Sequence, residues 1–136
     1  MPSYLLDTSV YCQPLRRQPL ATVRQRWEAL GDGALCISVV CLAELLTGLR
    51  RKKSASLWRA YERILKDRLP VIDVGVEVAE AYSALAAQAL SAGRPRPAFD
   101  LLIAATARAH SLIVATGNCK DFVGLDGVAV EDWLRP

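Results

Sequence analysis

Asp7, Glu44, Asp100, Asn118 and Asp121 stand where ordinary packing does not ask for acids or amides. Asp7 ends the short apolar run from Ser3. Glu44 interrupts Val39-Val40-Cys41-Leu42-Ala43-Glu44-Leu45-Leu46, which is apolar on nearly every side. Asp100 opens an alanine-rich stretch, and Asn118 and Asp121 follow the apolar run from Leu112 to Ala115. Taken singly, each has an ordinary reading: a turn or helix cap for Asp7, a helix-dipole contact for Asp100, loop polarity for Asn118 and Asp121, a salt bridge for Glu44. Taken together they point to chemistry. A carboxylate among apolar neighbours needs a cation or several donors to stay ionised, and carboxylates gathered on one rim repel unless a hard divalent cation neutralises them. Mg²⁺ prefers oxygen ligands and keeps several waters. Such a cluster suits hydrolysis of a phosphodiester by metal-activated water, which needs no histidine.

Other chemistries fail at identifiable residues. The single histidine, His110, excludes paired-imidazole acid–base catalysis and H-E-x-x-H metalloprotease sites. Cys12, Cys36, Cys41 and Cys119 form no C-x-x-C pair and read as reduced packing residues, not zinc ligands. Gly31-Asp32-Gly33 lacks the sequels of a P-loop or dinucleotide fingerprint. Ser9 stands where a D-x-D phosphatase needs its second acid.

The elements that must position these residues follow from hydrophobic period and punctuation. Short β-rich runs are expected at Ser3 to Leu6, Ala34 to Ser38, Val71 to Val74, Leu112 to Ala115 and Val128 to Val130. Helices are expected at Thr22 to Leu30, Val39 to Leu49 (closing at Gly48 and the basic run after it), Leu57 to Leu69 (stopped by Pro70), Glu77 to Leu90 and Asp100 to Ala109. Alternation without hairpin signals implies an α/β fold with a mostly parallel sheet, in which ligands gather beyond the carboxyl ends of strands. Asp7 and Thr116-Gly117-Asn118 fall there.

At 136 residues, 52% hydrophobic and 23% charged, the chain is expected to form one folded domain over residues 1–136 and not a disordered segment. No apolar run approaches the roughly 20 residues that span a bilayer, and Asp7 interrupts the start before a signal-peptide core forms, so a cytoplasmic location is expected. A net charge of +3 is only mildly basic. Its densest part, Arg50-Arg51-Lys52-Lys53, supported by Arg16-Arg17 and by Arg94 and Arg96, is expected in or beside turns. It reads either as a track for nucleic-acid phosphates or as a solvated helix end that relieves the dipole.

Four blocks, Leu5-Leu6-Asp7-Thr8-Ser9-Val10, Ser38-Val39-Val40-Cys41-Leu42-Ala43-Glu44-Leu45, Gly93-Arg94-Pro95 through Phe99-Asp100-Leu101-Leu102-Ile103-Ala104-Ala105-Thr106-Ala107, and Thr116-Gly117-Asn118-Cys119-Lys120-Asp121-Phe122, resemble PIN-domain ribonucleases of the VapC toxin type in order and spacing. The resemblance implies a Rossmann-like PIN fold, Mg²⁺- or Mn²⁺-dependent endoribonuclease activity, a homodimer and a small VapB-like antitoxin partner. It also implies metal ligation by Asp7 and Asp100, a water-orienting or basic role for Glu44, and completion of the shell by Asn118 or Asp121. Ser9 and Thr116 are expected to hydrogen-bond the acids. Gly117 departs from the Arg often found there. The competing reading is a catalytically silent PIN-fold binding module.

Overall fold

The computed structural model describes residues 2–136. Five strands, β1 (Tyr4–Leu6), β2 (Leu35–Ser38), β3 (Val71–Ile72), β4 (Ile113–Thr116) and β5 (Ala129–Asp132), form one sheet in the order β3-β2-β1-β4-β5. Every pairing is parallel, in line with the expected α/β fold. The six helices are α1 (Thr8–Tyr11), α2 (Ala21–Leu30), α3 (Val39–Lys52), α4 (Ala55–Ile64), α5 (Val76–Ser91) and α6 (Ala98–Ala109).

Side chains alternate across a strand, and here both faces are buried. Leu6, Leu35, Ile37 and Ala115 enter one core with Val10, Trp27, Tyr61 and Trp133. Leu5, Cys36 and Val114 enter the other with Val78, Leu85, Ile103 and Ala104. Helix α3 serves both, through Cys41, Leu45 and Leu49 on one side and Val40 on the other. That double burial is why its sequence is apolar nearly all round.

Several expected boundaries shift for local reasons. Helix α3 does not close at Gly48 but runs on through Arg50, Arg51 and Lys52, and Lys53 then takes the left-handed conformation (φ 52°) that ends it. A glycine inside a helix costs only about 1 kcal/mol relative to Ala, and cations in the last turn favour the dipole. The basic run is therefore the end of a helix, with Lys53 in the turn beside it. Helix α4 stops at Ile64, and Leu65 and Leu69 are buried from the following turn, where Asp67 has φ 60°. Strand β3 is only Val71–Ile72, whereas β5 extends to Asp132, paired with Thr116.

Strand order fixes the place of the site. From β1 the chain moves outward through β2 and β3, then returns to lay β4 on the opposite side of β1. The reversal opens a crevice beyond the carboxyl ends of β1 and β4, where a doubly wound sheet binds ligands. Register puts Leu6 against Ala115, so Asp7 and Thr116 emerge side by side.

Candidate active site

Asp7 caps α1 and is only 6% exposed. Its Oδ1 accepts the Thr8 backbone N–H at 2.7 Å, and its Oδ2 accepts the hydroxyls of Thr116 at 2.7 Å and Ser9 at 3.1 Å. Those hydroxyls are themselves aimed by the loop after β4: Gly117 N–H donates to Ser9 Oγ at 3.0 Å and Asn118 N–H to Thr116 Oγ1 at 2.9 Å. Backbone donors thus orient hydroxyls, and hydroxyls orient the acid. The three donors leave one of the carboxylate's roughly four lone-pair directions for a cation.

Glu44 is half-buried on α3, and Oε1 accepts the Thr8 hydroxyl at 2.8 Å. The expected salt-bridge alternative is not what the structure has. The ion pairs among the described residues are Arg68–Asp32, His110–Glu77 and Arg135–Asp132, none of which touches these acids. Thr8 thereby joins the two acids, its amide on Asp7 and its hydroxyl on Glu44.

Asp100 lies in the first turn of α6, half-buried. Burial pushes its carboxyl up to about 6, and the charges of Asp121, Asp7 and Glu44, in that order, push the same way, while the Arg96 guanidinium opposes them. Three acids from other elements thus bear on Asp100, as acids around one crevice do. Asp121 closes the short 3₁₀ turn Cys119–Asp121. Asn118 is exposed, and among the described residues its bonds to the site run through its backbone.

The donor set is hard: carboxylate oxygens, with the nearby Cys41 thiol buried and its pKa pushed up by that burial. It suits Mg²⁺ or Mn²⁺ and not a soft metal. Among the described residues no three His, Cys, Asp or Glu side chains converge closely enough to hold an ion by themselves.

An open groove of about 800 Å³ starts at Thr8 and Glu44 and runs along α3 past Gly48 to Lys52, with Arg16 and Arg17 on its wall. Lys52 alone of the basic run lines it. The Arg50 guanidinium instead covers the Trp58 ring, 5.1 Å from its centroid, and Arg51 and Lys53 are exposed elsewhere.

Residue reasoning missed Thr8 and Arg96. Thr8 sits next to Asp7 in Asp7-Thr8-Ser9, but nothing in the sequence says that its hydroxyl meets α3. Arg96 reads in the sequence as one more exposed cation, yet Nη1 donates to Asp121 O at 2.7 Å and Nη2 to Val123 O at 2.8 Å. Gly117 has a packing reason, since a Cβ there would collide with the Leu134 side chain.

A family model described as "PIN domain" matches residues 4–126. The tRNA(fMet)-specific endonuclease VapC of Shigella flexneri is 32% identical over 133 residues, covering 98% of this chain and 99% of its own. Toxin FitB of Neisseria gonorrhoeae is 33% identical over 138 residues, covering 95% and 97%. DNA-bound VapBC from Salmonella typhimurium superposes with a TM-score of 0.84 at 29% identity, covering 98% of this chain and 99% of that one.

Proposed function

The chain belongs to the PIN-domain family, and from that premise we propose that it is a Mg²⁺-dependent endoribonuclease, the toxin of a VapBC-like toxin–antitoxin pair. The observation that carries this reading is the hydrogen-bonded placement of Asp7 and Glu44 through Thr8 at the strand-end crevice, beside an Asp100 whose proton affinity is raised by burial first and by the charges of Asp121, Asp7 and Glu44 next. A divalent cation offsets those charges.

Asp7 and Asp100 hold the ion, Mg²⁺ with Mn²⁺ as a substitute. When bound, it polarises a phosphoryl oxygen and lowers the pKa of the attacking water. Glu44, steadied at Oε1 by Thr8, keeps Oε2 to orient that water and take its proton. Asp121 completes the acid set better than Asn118, because its charge is the one that bears most on Asp100. Lys52, Arg16 and Arg17 track RNA phosphates along the groove, with Arg50, Arg51 and Lys53 adding long-range attraction.

The partner is a VapB-like antitoxin, and the toxin pairs with itself as a homodimer. No helix of the described residues is long and apolar enough to cross a membrane. A cytoplasmic location belongs to this reading because that is where an RNA substrate would be met. tRNA(fMet), the substrate in the name of the Shigella relative, is the first RNA to test. Incubated with it, the purified chain should yield one defined cut in Mg²⁺ or Mn²⁺ and none in EDTA. Cleavage that continues in EDTA contradicts the metal, and intact RNA under every metal condition would return the fold to a silent binding module.

A further inference from the structure

The loop that carries Asp121 faces an unfavourable partner. Asp121 is the charge that raises the proton affinity of Asp100 most, and its own backbone N–H reaches no further than Asn118 O, at 2.9 Å. The loop is anchored in the core by Phe122 and Leu125, and the Phe122 and Val123 amides both reach Cys119 O. Two side chains from outside the loop hold its remaining carbonyls and amides. Gln88 on α5 donates through Nε2 to Gly124 O at 3.2 Å and accepts Asp126 N–H at 3.0 Å. Arg96 grips the other end, with Nη1 on Asp121 O and Nη2 on Val123 O.

Arg96 is built for that grip. Pro95 and Pro97 flank it, and the residue before a proline is held extended, so the guanidinium is presented from a stiff segment. Arg96 is half-buried, whereas residues 91–95 and 97–99 are exposed. A guanidinium is a planar fork, and bridging two carbonyls uses that shape in a way an ammonium does not. Its charge also offsets part of the repulsion at Asp100.

We propose that Arg96 is a positioning residue: by clamping the Asp121 and Val123 carbonyls it holds Asp121 against Asp100 and so sets the affinity of the acid cluster for its divalent cation. This rests on the metal-dependent reading above and assigns Arg96 a role other than the phosphate contact suggested by its place in a basic stretch.

The test is a Mn²⁺ titration of the full chain, following free Mn²⁺ by electron paramagnetic resonance, with amide exchange read on Phe122 and Val123. Arg96→Gln should remain folded by circular dichroism, weaken Mn²⁺ binding about tenfold, within the 10–100-fold usual for partners that orient metal ligands, and speed exchange at both amides. Arg96→Lys, which keeps the charge but not the fork, should recover only part of the loss, and it serves as the test variant if Arg96→Gln does not fold. Asp121→Asn should weaken Mn²⁺ binding as well, and adding Arg96→Gln to it should change little, because one acts through the other. Unchanged Mn²⁺ affinity with a raised KM for RNA would make Arg96 a phosphate contact and overturn the proposal. Additive losses in the double variant, or full recovery in Arg96→Lys, would overturn it too. If the wild type itself takes no Mn²⁺, the nuclease reading falls separately, and unchanged amide exchange in Arg96→Gln would then dispose of the clamp as well.

Discussion

Around Asp7 the chain supplies a backbone N–H and two hydroxyls to a buried carboxylate, and those hydroxyls are fixed in turn by the Gly117 and Asn118 amides. Around Asp100 it supplies no hydrogen bond from a described residue, only burial and three neighbouring negative charges that the Arg96 cation offsets in part. One acid is satisfied by the protein and the other is left for a ligand to satisfy. The contrast follows from placement. Asp7 leaves a central strand between backbone ladders, where donors are at hand, whereas Asp100 enters from the first turn of α6, with the helix dipole and the Arg96 charge in support but no hydrogen-bond donor. On the metal-dependent reading, a rigid half and an unsatisfied half together would make a site that is preorganised and yet gains stability on binding a cation.

Breaking either half should silence the enzyme, and this is the largest effect expected. Asp7→Ala and Asp100→Ala should each lower RNA cleavage by more than the roughly hundredfold loss typical of an outer partner, measured as single-turnover rates in saturating Mg²⁺. Unimpaired cleavage by folded Asp100→Ala would remove it from the site.

The two halves should separate in their stability response. Thr116→Val deletes a hydroxyl that donates to Asp7 and accepts from Asn118. It should destabilise the metal-free protein by about 1–3 kcal/mol in urea unfolding and slow cleavage roughly tenfold or more. A neutral result would mean that the wiring around Asp7 is incidental.

That division also explains what the sequence did and did not disclose. Leu5-Leu6-Asp7 and Val114-Ala115-Thr116 announce strand ends by apolar runs that stop at polar residues, and Glu44 is visible because its helix is otherwise apolar. These signals are local. The Thr8 bond to Glu44 spans 36 residues, and the Arg96 clamp spans 25 to Asp121 and 27 to Val123. No period or propensity carries such pairings; they exist only once the sheet order has brought the strand ends together. Trp133, fully buried beyond the expected end of the last strand, was hidden for the same reason. Its backbone N–H bonds Thr116 O, and the register that creates this bond is a property of the assembled sheet.

The smallest effects belong to the groove. Lys52→Gln should weaken RNA binding and reduce the slope of log affinity against log salt by about 0.7 for each phosphate that Lys52 neutralises. Arg50→Gln, whose cation lies over Trp58, should change the slope less. Equal slopes for the two variants would return Lys52 to ordinary helix-end surface.

The central claim is that Asp100 is strained when the site is empty and relieved by a divalent cation, and thermal unfolding of the wild type and Asp100→Asn in EDTA and in Mg²⁺ tests it most directly. In metal-free wild type the folded carboxyl holds its proton up to about pH 6, against 3.8 as its ordinary value. Between those values the folded chain binds more protons than the unfolded one, so stability falls as pH rises through the window. At pH 7 in EDTA, Asp100→Asn should therefore melt higher than wild type, and the gap should close toward pH 4. Mg²⁺ at a hundredfold excess over its Kd should add about 2.7 kcal/mol to the wild type and far less to the variant, so that the ranking narrows or inverts. A variant that melts lower than wild type in EDTA at pH 7 and answers Mg²⁺ equally would contradict the account and leave Asp100 a helix-end residue only.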